Sequence, residues 1–206
     1  MSNNRTSVGG VDVSRETMEK LEQLCALITK WTRAINLIAP NSVPDLWDRH
    51  IVDSAQVFHC APDDWTCWTD LGSGGGLPAL VVTILDQQKR PMTLIESDKR
   101  KCLFLATARR ELGLDINIIN RRLLDADVAK ADVLSARALA PLSDLLGYAD
   151  KFLQPEGTAI FPKGARYQEE LDHAAQSWHF DVKEHTSQTN PDSRVLILSR
   201  IIRRES

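Results

Sequence analysis

The chain has 206 residues, 43% of them hydrophobic, and a net charge of -3. That length builds one full domain with a small appendage, and the balance excludes a blanket-basic nucleic-acid binder and a membrane-spanning protein. Four cysteines without a C-x-x-C pair, and five histidines at no ligand-like spacing to them, argue for reduced, packed thiols of a cytoplasmic protein and against a metal site.

The opening MSNNRTSVGG is polar and carries no apolar signal-peptide core. From Ser14 the pattern turns helical, with Leu21, Leu24, Leu27, Ile28 and Trp31 on one face. A second helical segment follows the NSVPD turn, from Trp47 through Ala55, until APDD breaks it. Residues 1–62 therefore read as a small helical cap without strands, and residues 63–206 as the main domain. There strands and helices alternate. Strands are predicted at 66–71, 91–97, 115–120, 131–136 and 158–163, the last after a turn at Pro155 and Gly157. Helices are predicted at 77–87, 99–112 (closed by Gly113), 142–152 and 166–177, and two terminal strands at 180–186 and 193–201. This order predicts a Rossmann-like α/β fold, a largely parallel sheet flanked by helices.

The stretch DLGSGGGLPAL, residues 70–80, holds four of the chain's ten glycines. It lies between the first strand and the first helix of the main domain, at the carboxyl edge of the sheet, where α/β folds bind ligands. Glycines there let a ligand approach the backbone. A dinucleotide G-x-G-x-x-G pattern fails from Gly72, because Leu77 stands at the third glycine. A frame from Gly74 through Gly76 to Ala79 fits only the permissive form and leaves Asp70-Leu71-Gly72 unexplained. No Gly-Lys-Ser/Thr follows, so a P-loop is excluded. What remains is D-x-G-x-G-x-G, which resembles the first motif of class I S-adenosylmethionine-dependent methyltransferases. Glu96 ends the second strand, where a carboxylate can accept the ribose hydroxyls of a nucleoside.

More motifs follow in order: Trp31 with Asn36-Leu37, RHIVDS (49–54), DLGSGGGLP (70–78), ESDKRKCLFL (96–105), SARALAPL (135–142) and PKG (162–164). Together they resemble the small-subunit ribosomal RNA methyltransferase G, or GidB-like, family over about residues 24–165. The resemblance implies methylation of guanine at ring nitrogen 7 in 16S rRNA, with S-adenosylmethionine as cofactor. Carried over by motif, the cofactor contacts fall on Gly72, Leu77, Arg122, Leu123 and Arg137, with Gly74 in the same loop and Glu96 on the ribose. Many members of the family have an acidic residue near Leu123-Leu124, whereas this chain has leucines until Asp125.

Guanine nitrogen 7 carries a lone pair and no proton, so its methylation needs no general base. The absence of an N/D-P-P-Y/F motif and of a Pro-Cys pair agrees with that. Between residues 89 and 122 nine basic residues face four acidic ones, a local basic segment in an acidic protein. Lys99, Arg100, Lys101 and Lys163 are the candidates for gripping RNA, and Arg137 and Lys163 for positioning substrate and methyl group. Asn36 and His50 of the cap either line the opposite side or serve structure, Asn36 as a helix cap and His50 paired with Asp53. The expected partner is the small ribosomal subunit, with no membrane and a monomeric chain. A methyltransferase for a small molecule or protein, a nicotinamide-dependent oxidoreductase and an inert binding module remain the alternatives.

Overall fold

The computed structural model describes residues 7–205. The polar leader, residues 1–6, lies outside the described residues.

Helix α1, Arg15–Thr32, starts where expected: the Ser14 hydroxyl accepts from the Thr17 amide at 3.1 Å. It buries Met18, Leu21, Leu24, Leu27 and Ile28 at three- and four-residue spacing. The second helical segment begins with a π-helical stretch, Trp47–Val52, and continues as α2, Asp53–His59. The segment is not free of strands. A short hairpin, β1 (Ser7–Val8) and β2 (Val11–Asp12), turns on Gly9 and Gly10, both at positive φ. Two-residue strands are too short to leave an alternation in the sequence.

Beyond α2 the chain runs β3 (Trp68–Leu71), α3 (Ala79–Leu85), β4 (Met92–Ile95), α4 (Lys99–Leu112), β5 (Ile116–Ile119), β6 (Ala131–Ala136), α5 (Leu142–Phe152), β7 (Leu153–Lys163), α6 (Tyr167–Ala174), β8 (Trp178–Thr186) and β9 (Arg194–Arg203). The seven strands lie in the order β5-β4-β3-β6-β7-β9-β8. β3 to β7 pair in parallel, and β9 runs antiparallel to both β7 and β8. The chain works outward from β3 to β5 and returns at β6, so the topological switch lies between β3 and β6.

Side chains alternate across the sheet as the strand period requires. Trp68, Leu94 and Val133 join a core with α1, α2, α3 and α4 on one face. Leu71, Ile95 and Leu134 join a second core with α5 and α6 on the other. α4 is closed at both ends: Asp98 caps the Arg100 and Lys101 amides at 2.8 and 3.3 Å, and Gly113 at φ +63 ends it.

One expected turn is not a turn. Pro155 and Gly157 lie inside β7, which passes them as an irregularity: Ala131 opposes Leu153, and two residues on Val133 opposes Thr158. Helix α6 also ends at Ala174, three residues before the expected stop.

Candidate active site

β3 delivers the chain into the glycine loop at the switch point. Gly72, Gly74 and Gly76 have φ of +60, +54 and +76, a region that L side chains seldom enter. At three of the four loop glycines a side chain would also collide with a neighbour. A Cβ on Gly72 would stand 2.6 Å from Leu139 Cδ1, across the switch. One on Gly75 would stand 3.0 Å from the Leu37 carbonyl, where the segment after α1 presses on the loop. One on Gly76 would stand 2.3 Å from Leu80 Cδ1 in the buried core.

Glu96, the residue after β4, holds this loop. It is 7% exposed; one carboxylate oxygen accepts from the Gly74 amide and the other from the Asp98 amide, both at 2.8 Å. Each oxygen keeps a further lone pair. Beside it opens a cleft of about 500 Å³, lined by Gly72, Glu96, Lys101, Arg122, Leu123 and Leu139 among others. Leu124, 77% exposed, stands at its rim, and Lys151 pins the loop there by donating to the Leu123 and Leu124 carbonyls at 3.0 and 2.8 Å.

Beneath the loop, Trp68 Nε1 donates to Ser135 Oγ at 2.9 Å, and Ser135 donates to Asp70 Oδ1 at 2.5 Å. This relay joins β3 to β6 at the switch. Asp70 is fully buried, and its Oδ2 has no partner among the described residues. Burial pushes its carboxyl up to about 6, against the pull of the Ser135 bond.

A second cleft, about 920 Å³, adjoins the first, and Ala138 and Leu139 belong to the walls of both. Arg137 lines it, half-buried, donating to the Arg49 carbonyl at 3.4 Å. Burial draws the Arg137 guanidinium down, opposed by the charges of Asp53 and Asp70. Arg49, Asp53, Lys163 and Arg166 are further members of the lining.

The structure redistributes several expected roles. Leu77 is 5% exposed and sits in the core with α1 and α2, so it lines neither cleft. Lys163 is not a free cation: it donates to Glu170 at 2.7 Å and to the Ala140 carbonyl at 2.9 Å, and Glu170 also accepts from the Leu142 amide. It clamps the loop after β6 to α6. His50 is not paired with Asp53; its Nε2 is bonded to Ser42 Oγ at 2.9 Å. Burial, then the charges of Arg137 and Arg49, lower its pKa to about 4, so the ring is neutral at pH 7. Asn36 is exposed and lines neither cleft.

The basic segment divides by topology. Lys99, Arg100 and Lys101 open α4, and Arg121 and Arg122 follow β5, all at the edge of the glycine loop. Lys89 and Arg90 precede β4, and Arg109 and Arg110 close α4, at the opposite edge. Arg90 serves structure there, bonded to Asp86 at 2.8 Å and stacked 3.6 Å from the Trp65 ring centroid. Lys99 and Arg100 are exposed, while Lys101 lines the first cleft.

A family model, GidB, described as rRNA small subunit methyltransferase G, matches residues 17–196. The chain belongs to the GidB family. It is 47% identical to the ribosomal RNA small subunit methyltransferase G of Ruegeria sp. (strain TM1040), over 94% of this chain and 95% of that one. It is 42% identical to the protein of the same name from Rhizobium meliloti (strain 1021), over 96% of both. Solved structures agree on the fold. A ribosomal protein L11 methylase from Lactobacillus delbrueckii subsp. bulgaricus superposes with a TM-score of 0.60 at 20% identity, over 74% of this chain and 78% of that one. An SAH-bound Podospora anserina methyltransferase gives 0.59 at 14% identity, over 91% and 97%. The sheet of this GidB-family chain is thus the class I methyltransferase sheet.

Proposed function

We propose that this chain transfers a methyl group from S-adenosylmethionine to ring nitrogen 7 of a guanine in 16S rRNA of the small ribosomal subunit. It does so as a cytoplasmic monomer, with residues 1–62 as a cap on a cofactor-binding domain, 63–206. The observation that carries this reading is the pair of adjoining clefts, one walled by glycine, carboxylate and leucine, the other by arginines, in a chain of the GidB family. No helix among the described residues is long and apolar enough to cross a membrane.

The residues of the first cleft fit the cofactor. The Glu96 oxygens have lone pairs left for ribose hydroxyls, and glycine at position 72 lets the Leu139 side chain pack against the loop as part of the cleft wall. Leu123 and Leu139 offer apolar surface to an adenine. Bound there, the cofactor supplies a methyl group on a sulfonium, ready for displacement.

Displacement at a methyl carbon makes positioning the main task of the protein. The attacking nitrogen has no proton to lose, and neutral His50 and buried Asp70 need not take one. Arg137 and Arg49 set a positive field in the second cleft, which draws a nucleotide's phosphate toward the shared wall. Lys99 and Arg100 extend that field outside the clefts. A small basic face then suffices for a folded RNA particle.

The test is transfer of radiolabelled methyl from S-adenosylmethionine to small subunits from cells lacking this protein, followed by nucleoside digestion. Label in 7-methylguanosine is expected. Label in another nucleoside, or none although the cofactor binds, refutes the reading.

A further inference from the structure

The RHIVDS segment, residues 49–54, is left without a role by the cofactor cleft. It forms the last π-helical residues and the start of α2, and it brings Arg49 and Asp53 into the second cleft. Asp53 is held from three directions. Its Oδ1 accepts from Gln56 Nε2 at 3.2 Å, from Ser187 Oγ at 3.5 Å, and from Thr189 Oγ1. Ser187 and Thr189 belong to the loop between β8 and β9, more than 130 residues away along the chain. Gln56 locks the same loop by accepting from the Gln188 amide at 2.7 Å. All three donors use one oxygen. Oδ2 accepts from no described group, and neither Arg49 nor Arg137 comes within ion-pair distance of it. A carboxylate is thus fixed in orientation, with one oxygen free, on the wall of a cleft beside the cofactor cleft.

Guanine defines what such a group can do. Its nitrogen 7 must stay unbonded to attack, so recognition has to come from elsewhere on the base. The opposite edge carries two adjacent donors, N1–H and the N2 amino group. Adenine carries a lone pair at N1, which a carboxylate repels. One carboxylate oxygen has lone pairs enough for both guanine donors.

We propose that the second cleft holds the target guanine and that Asp53 Oδ2 reads it, accepting from N1–H and the N2 amino group; this rests on the guanine-N7 reading above. In the transfer the N7 lone pair forms the new N–C bond. The S–C bond breaks with its electrons going to sulfur, which becomes a neutral thioether. No proton leaves, so the base takes on the positive charge that the sulfonium loses. The Asp53 anion on the far edge of the ring stabilises that charge as it develops. Arg137 and Arg49 serve the phosphate or the O6 acceptor, and Asp53 acts as the specificity residue. Burial raises the Asp53 carboxyl, while the Thr189 and Ser187 bonds and the charges of Arg137 and Arg49 restrain the rise.

The test uses small subunits reconstituted with 16S rRNA bearing guanosine or inosine at the methylated position, mapped beforehand by 7-methylguanosine release. Inosine keeps N7, O6 and N1–H and lacks only the amino donor. For the wild-type chain kcat/KM should fall at least tenfold on going to inosine. Asp53→Asn should be slower on guanosine yet lose no more than about threefold on inosine. Thr189→Ala, which releases the loop but leaves the carboxylate, should keep the wild-type ratio; a structural role for Asp53 would not separate these two variants. A wild-type ratio under twofold, or equal ratios in wild type and Asp53→Asn, overturns the proposal. A second measurement needs no variant to fold. In protein carrying 13C at its aspartate carboxyls, an RNA loop with the target guanosine should move the Asp53 resonance, and the inosine loop should move it less. An unmoved resonance overturns the proposal as well. If the wild-type chain releases no 7-methylguanosine at all, it is the reading of the function that has failed.

Discussion

Replacing Gly72 by alanine separates a ligand-binding role of the glycine loop from a structural one. The residue sits at φ +60, where an L side chain costs roughly 1–2 kcal/mol. The new Cβ would meet Leu139 Cδ1 at 2.6 Å, but Leu139 is 36% exposed and can turn away. The cost to stability is therefore about 1–2 kcal/mol, the backbone strain alone. Leu139 lines both clefts, so any turn of its side chain alters the wall they share. Cofactor affinity should fall at least tenfold, about 1.4 kcal/mol or more. Gly76→Ala is the contrast. Its Cβ would stand 2.3 Å from Leu80 and 3.0 Å from Leu105, both fully buried. Overpacking of about 1–3 kcal/mol then adds to the strain and threatens the fold itself. Calorimetric titration with S-adenosylmethionine and urea unfolding of both variants give the two numbers. Gly72→Ala binding the cofactor with wild-type affinity would refute the placement of the cofactor against this loop.

Three further outcomes follow from the same geometry. Asp70 has its pKa raised to about 6 by burial, so the folded chain holds a proton there that the unfolded chain has released. Stability contributed by this group is full well below about pH 4 and falls by about 3 kcal/mol in all as pH rises through about 6 to about 7. Urea unfolding across that range should show this loss in the wild type relative to Asp70→Asn; parallel profiles would contradict it. Lys163→Met leaves Glu170, with its side chain 29% exposed, facing the Ala140 carbonyl without its cation, and should destabilise the chain by about 2 kcal/mol while the folded fraction stays active. Activity lost in a fully folded Lys163→Met protein would return Lys163 to the chemistry. Lys99→Ala and Arg100→Ala should each raise KM for small subunits and lower the salt dependence of binding by about one unit of slope, with cofactor affinity unchanged. A salt slope unchanged in the double variant would remove them from the RNA face.

Much of this was legible because the decisive signals are local. The glycine loop, its strand and its helix are contiguous, and Asp98 and Gly113 mark the ends of α4 in the sequence itself. What escaped the sequence depends on contacts between distant segments. The Trp68–Ser135–Asp70 relay spans 67 residues, and the Asp53 anchor to Ser187 and Thr189 spans 134 and 136. No periodicity encodes either. Lys163 looked like a free cation because its partner lies across a loop, on α6. Arg90 looked like part of a basic face because its partners, Asp86 and the Trp65 ring, meet it only in the fold. β7 looked interrupted because Pro155 and Gly157 are turn residues, and a strand accommodates them only where its pairing is already irregular.

The central claim is methylation of guanine at nitrogen 7 in 16S rRNA. It is tested most directly on rRNA from cells that carry the gene, lack it, or carry Gly72→Ala in its place. Reduction followed by aniline breaks an RNA chain at 7-methylguanosine. One break in 16S rRNA should be present with the wild-type gene, absent without it, and weakened with Gly72→Ala. The same pattern of breaks in all three strains would contradict the assignment.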